Sequence, residues 1–170
     1  MTERIQDNGP QWQRTKALAA KCGLTFTVVE TDEDIPSRWR SDYLDDVGYS
    51  PGRKTIFLSR LKEPLIGGMH EVCHWLVATP RERRLVNWGF ETPPLARRTP
   101  DERELQACQV TVGIAYLWGY EHEARELVNT LNVWDDLLPQ ASQAEPQEGV
   151  LRCVPIAEEY LRKNNIALDA

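Results

Sequence analysis

Apolar positions fit a helix in five stretches of the chain and crowd together in two others. Leu65, Ile66, Met69, Val72, Cys73, Leu76 and Val77 fall on one side of a 100° wheel, predicting a helix opened by Pro64 and ended by Pro80. A second helix is expected from Thr99-Pro100 to Gly119, and a third over 121–131. Near the start, Pro10 can open a helix through WQRTKALAAKC that Gly23 stops. LTFTVVE (24–30) and KTIFLS (54–59) are rich in β-branched residues and read as strands. Ser50-Pro51-Gly52 makes a turn before the second, with residues 43–49 as its hairpin partner.

RRLVNWGFE (83–91) fits either a strand or an ordered loop, and PPLARR fits a loop. The stretch 139–149, rich in Gln, Ala, Pro and Glu, is expected to be a flexible loop. A final helix through GVLRCVPIAEEYLRKN should break near Pro155. There is no internal repeat. The expectation is one domain over 1–170 of the α+β class, a short sheet packed on the 64–79 helix with the 100–118 helix beside it.

Composition adds exclusions. With 41% apolar and 27% charged residues, the 170-residue chain reads as an ordinary globular protein with a real core. A net charge of -6 argues against a nucleic-acid partner. Its densest basic cluster, Arg81, Arg83 and Arg84, followed by Arg97 and Arg98, reads as solvated surface. No apolar run approaches a membrane span, and MTERIQDNGP lacks the apolar region of a signal peptide. Cysteines 22, 73, 108 and 153 show no CxxC spacing, which fits reduced, buried thiols and a cytoplasmic location.

The chemistry lies in His70-Glu71-Val72-Cys73-His74, an HExxH motif. Positions i and i+4 stack on one helix face, so both imidazoles can reach one metal ion while Glu71 stays beside it as a catalytic base for metal-bound water. The histidines border the apolar stripe, with Gly67, Ala78 and Glu71 continuing round and small neighbours leaving room for a substrate. The bland alternative is a pair of packing or surface histidines. A third ligand is expected from the next helix, where Asp101, Glu102 and Glu104 are the candidates. Glu102 completes a capping box with Thr99. Glu104 falls among Cys108, Thr111, Ala115 and Trp118 near the centre of the apolar face, where a carboxylate needs a metal or an arginine, and it is preferred. Asp101 is the reserve. His122 lacks a partner at ligand spacing. Tyr43, Tyr49, Tyr116 and Tyr120 are undifferentiated as oxyanion donors, and Cys73, Trp75 and Trp88 read as packing.

The run HEVCHWLVATPRERRLVNWGF resembles the elongation factor P hydroxylases. The shared features are HExxH followed by Trp75, then Ala78, Arg84, Leu85-Val86 and Gly89 with Phe90, over a span from Lys54 to about Gln109. The resemblance implies hydroxylation of a modified lysine on a translation elongation factor at a non-haem Fe(II) site, with His70, Glu71 and His74 carried over. The family's acidic residue precedes Lys-Pro-Gln-Ala, where this chain reads RELQA; matching Gln106-Ala107 puts it at Glu102, not Glu104. The layout is also similar to that of minimal gluzincin zinc peptidases. On that reading Zn(II) replaces Fe(II), Glu71 activates water, and strand 54–59 pairs with an extended peptide.

Overall fold

A computed structural model describes residues 9–40, 47–60, 62–89, 100–131 and 146–168. Helix α1 (Pro10–Lys21) carries proline in its first turn. It ends where Gly23 takes φ +71°, allowing Leu24 N–H to donate back to Ala19 O at 2.8 Å and turning the chain into β1 (Thr25–Val29). β2 (Val47–Ser50) and β3 (Thr55–Ser59) follow as the expected hairpin. Of the stretch 43–49, residues 43–46 lie outside the described residues.

The sheet order is β1-β3-β2, with β3 parallel to β1 and antiparallel to β2. Every residue of β3 is buried, which explains its near-continuous apolar run. Neither edge of β3 is open. The outer edge of β2 is also covered, by a bridge from Arg40 to Gly48 and by the Asn87 side chain, whose Oδ1 accepts from Tyr49 N–H at 2.8 Å.

The helix expected from Pro64 begins as a wide π-helical turn, Pro64–Met69, and becomes α-helical only at α2 (His70–Val77). A Cβ added at Gly67 would stand 2.7 Å from Lys62 Cβ, and one at Gly68 would stand 2.9 Å from Trp12 Cζ3. Gly67 therefore makes room for the chain beneath it and not for a substrate, contrary to the sequence reading. Met69, Val72, Cys73 and Leu76 are at most 1% exposed, so this face of α2 is core. Each large apolar side chain buried this way stabilises the fold by about 1.5–3 kcal/mol.

After α2, Thr79 and Glu82 form a reciprocal cap, Thr79 N–H to Glu82 Oε2 at 2.7 Å and Glu82 N–H to Thr79 Oγ1 at 3.3 Å. The segment 83–89 is two tight turns and no strand, because Asn87 and Trp88 both take left-handed backbone angles (φ 45° and 59°) that no strand tolerates. Arg83 is not part of a solvated patch. It is half-buried, lies over the Trp75 ring at 3.6 Å and donates to Trp75 O at the end of α2, while Arg81 and Arg84 are exposed. Arg97 and Arg98 lie outside the described residues.

α3 (Pro100–Leu117), α4 (Glu121–Thr130) and α5 (Pro146–Lys163) complete the fold. α3 and α5 cross closely at Gly113, where a Cβ would meet Ala157 Cβ at 2.5 Å. α5 runs through Pro155 without the expected break, and it already includes 146–149 of the expected loop; residues 139–145 lie outside the described residues. The class is α+β, a three-stranded sheet and five helices among the described residues. No helix among them is long and apolar enough to cross a membrane. All four cysteines are free and buried.

Candidate metal centre

One turn of α2 separates His70 from His74, and both side chains point across to α3. Their Nε2 atoms face each other at 3.0 Å. Glu104 closes the triangle, with Oε1 at 3.0 Å from His70 Nε2 and Oε2 at 3.2 Å from His74 Nε2. His70 and His74 are 6% and 1% exposed. Glu104, whose side chain is 40% exposed, forms the open side of the group. It thus lies at the rim of the core and not at the centre of the apolar face, because it is one turn inside the start of α3.

These atoms could hold a metal ion between them. An imidazole nitrogen without a proton is an acceptor, and so is each carboxylate oxygen. The two ring nitrogens and the two carboxylate oxygens lie about 3 Å apart in pairs, and each pair needs a proton or a metal ion between its members. Ligands each about 2.1 Å from one ion, at angles between right and tetrahedral, stand about 3.0–3.4 Å apart, which matches the three separations. His70, Glu71 and His74 form one group that could hold a metal ion, and His70, Glu104 and Cys108 form another; Glu104 also reaches His74, through its other oxygen. Two imidazoles and a carboxylate suit both ferrous iron and zinc.

Without a metal, protons take its place. Burial would raise the Glu104 carboxyl, but hydrogen bonds from His70 and His74 outweigh it and hold it well below the usual carboxylate range. For His74, burial would lower the imidazole, but Glu71 and then Glu104 raise it above its ordinary value.

Glu71 is 2% exposed. Its Oε2 accepts from Trp88 Nε1–H at 3.4 Å. The Trp88 ring stacks on Tyr49 of β2, and the Trp88 carbonyl accepts from Arg103 at 3.0 Å. The left-handed pair Asn87-Trp88 aims the indole N–H at the motif, a cost of about 1–3 kcal/mol per strained residue that the surrounding bonds offset. Trp88 is packing, as expected, but it also orients Glu71.

Glu102 is exposed, so the position matched through Gln106-Ala107 does not meet the histidines, whereas Glu104 does. The side chain of Asp101 lies outside what is described, as does Thr99 of the expected cap. His122 is on the surface, 81% exposed. Tyr49 hydrogen-bonds Arg83 O at 3.0 Å and Tyr120 packs against Trp118, so neither is aimed at the site; Tyr43 is outside the described residues.

Two further residues of α3 belong to the group and were not singled out from sequence. Cys108 lies with Sγ 3.5 Å from Glu104 Oε1, and the Thr111 hydroxyl lies 3.2 Å from His70 Nδ1. Burial and then the Glu104 carboxylate push the Cys108 thiol well above its ordinary value, so it stays protonated and donates. The spacing 104, 108, 111 was the available signal, since it puts all three on one helix stripe.

No family model matches the chain, and neither a curated protein nor a solved structure does.

Proposed function

We propose that the chain is a metal-dependent enzyme with His70, His74 and Glu104 as ligands and Glu71 as the proton-handling residue. Its reaction, on this reading, is hydroxylation of a lysine side chain on a protein, as the resemblance to the elongation factor P hydroxylases implies. The observation that carries the metal reading is the convergence of two imidazole nitrogens and both oxygens of one carboxylate, with separations of 3.0, 3.0 and 3.2 Å, across two helices. Fe(II) is the favoured ion because the resemblance implies it; two histidines and one carboxylate suit Zn(II) as well. A ferrous ion held there would supply activation of dioxygen, one atom going to the substrate carbon and the other leaving as water with two electrons from a separate donor.

The chain's own residues do the rest. Glu71, turned toward the ligands and held by the Trp88 N–H, takes up or releases a proton beside them. Packed apolar residues of α2 keep water from the inner side, and the partly exposed Glu104 edge is where a side chain from a protein substrate would enter. The partner class is a protein, with a translation elongation factor first to be tried.

A zinc peptidase of the minimal gluzincin type uses the same ligands with Zn(II), and Glu71 then activates water against a peptide carbonyl. That reading expected an extended substrate beside strand 54–59. β3 sits between two partners, and the far edge of β2 is covered at Gly48 and Tyr49, so it ranks second.

Elemental analysis of the chain and a His70→Ala variant, both produced with iron and zinc supplied, tests the first step. Stoichiometric metal lost in the variant is the expected result, and metal in neither sample defeats the proposal. The iron-loaded chain, given a reductant, oxygen and a lysine-modified translation factor, should add the mass of one oxygen atom. Cleavage of a peptide library by the zinc-loaded chain would favour the second reading instead.

A further inference from the structure

The Thr111 side chain is completely buried and bonded on two sides. Its hydroxyl oxygen lies 2.7 Å from the carbonyl oxygen of Ala107, four residues back on α3, and 3.2 Å from His70 Nδ1. A hydroxyl has one proton to give. Donated to Ala107 O, the back-bond that threonine commonly makes in a helix, it leaves only lone pairs turned toward His70. Those lone pairs are satisfied by an N–H, so the imidazole carries its proton on Nδ1. The opposite assignment would leave two oxygen atoms facing each other at 2.7 Å with no proton between them.

A neutral imidazole protonated at Nδ1 has its lone pair on Nε2. For His70 that is the atom 3.0 Å from both His74 Nε2 and Glu104 Oε1. Valine would fill the same space as Thr111 without bringing a polar group into the core, where an unsatisfied hydroxyl is costly.

We infer that Thr111 is a positioning residue for the metal centre: through the carbonyl of Ala107 it selects the His70 tautomer that turns a free Nε2 lone pair toward the metal. This rests on the metal reading given above. Thr111 does not touch the metal or any substrate. Helix α3 then supplies both the carboxylate ligand, from Glu104, and the group that readies an imidazole on α2.

The test uses the full chain in two arms. First, the zinc-loaded protein with ¹⁵N-labelled histidine is studied by NMR, with a His122→Ala variant removing the surface signal. Zinc on His70 Nε2 with the proton on Nδ1 is expected; zinc bound through Nδ1, with the proton on Nε2, overturns the inference. Second, zinc affinity is measured by competition with a chromophoric chelator for the chain, Thr111→Val and Thr111→Ser. Thr111→Val should bind zinc about 10–100-fold more weakly, the usual effect of removing a group that orients a metal-bound histidine, and Thr111→Ser should stay within about threefold of the parent. Thr111→Val binding like the parent, or both variants weakened equally, overturns it. If Thr111→Val does not fold, Thr111→Ser and the NMR arm still decide. Failure of the parent chain itself to take up zinc or iron is a different result, and it removes the metal reading first.

Discussion

Arg103 and Glu82, each almost wholly buried, meet at 3.5 Å where the start of α3 lies against the turn that follows α2. Arg103 also donates to Trp88 O, so one guanidinium fastens the residue beside Glu104 to the segment that aims at Glu71. Adjacent residues of α3 thus divide the work, one anchoring the helix and the next facing the histidines.

Removing one partner of a buried pair leaves the other charge stranded, which typically costs about 3–5 kcal/mol. Arg103→Met should lower stability in urea unfolding by about that much and weaken metal binding as well. The double variant Arg103→Met, Glu82→Gln should recover part of the loss. A single variant as stable as the parent would show that the pair anchors nothing.

Glu104→Gln and Glu102→Gln separate the two candidate ligands. The first keeps the shape but loses the charge beside the two imidazoles, and zinc affinity should fall by more than the roughly 10–100-fold seen when a merely supporting group is lost. The second alters an exposed residue and should leave affinity near that of the parent. Reversed effects would return the ligand role to the position matched through Gln106-Ala107.

Stability should depend on pH in opposite ways with and without metal. In the metal-free chain Glu104 is lowered from 4.5, so its contribution is present above 4.5 and lost as pH falls through its folded value. His74 is raised from 6.5, so its contribution is complete below 6.5 and lost as pH rises through its folded value. The pair therefore stabilises most between 4.5 and 6.5. A metal ion competes with those protons, so its stabilisation grows as pH rises. Calorimetry with zinc and with chelator should show a melting-temperature gap that widens above pH 6.5; a gap independent of pH would argue that zinc binds elsewhere.

Trp88→Phe keeps a ring over Tyr49 and removes the N–H that reaches Glu71 Oε2. The cost to folding should be modest, about 1–3 kcal/mol for the carboxylate left without that bond. Turnover should fall at least tenfold, the lower range expected when a proton-handling group is misdirected, with metal content unchanged. Full activity would remove Trp88 from any role beyond packing.

The local rules of the chain made much of this readable. His70 and His74 follow from helix period alone; Glu104 is preferred from the sequence as an ionised group facing the core, but it meets the histidines from the rim, with its side chain 40% exposed. Pro10 and Gly23 bound α1 as their backbone preferences require. What escaped depends on tertiary contact. Nothing local says that β3 is flanked on both sides, that Gly67 yields to Lys62, or that Asn87 and Trp88 turn left-handed to reach Tyr49 and Glu71. Pro155 misled for the opposite reason, since packing of α5 on α3 holds the helix through a residue that would break it alone. Thr111 looked like one more core position until its two hydrogen bonds were visible.

The wide turn Pro64–Met69 takes up an extra residue without turning the helix that follows. A π turn holds one more residue than an α turn and still closes about one full turn. Deleting one residue there, and so restoring α geometry, would leave His70 and His74 facing Glu104. Between His70 and His74 there is no such slack: each residue of α2 advances the helix by about 100°, so one residue added or lost there would carry one imidazole away from the other with every candidate ligand still in the sequence.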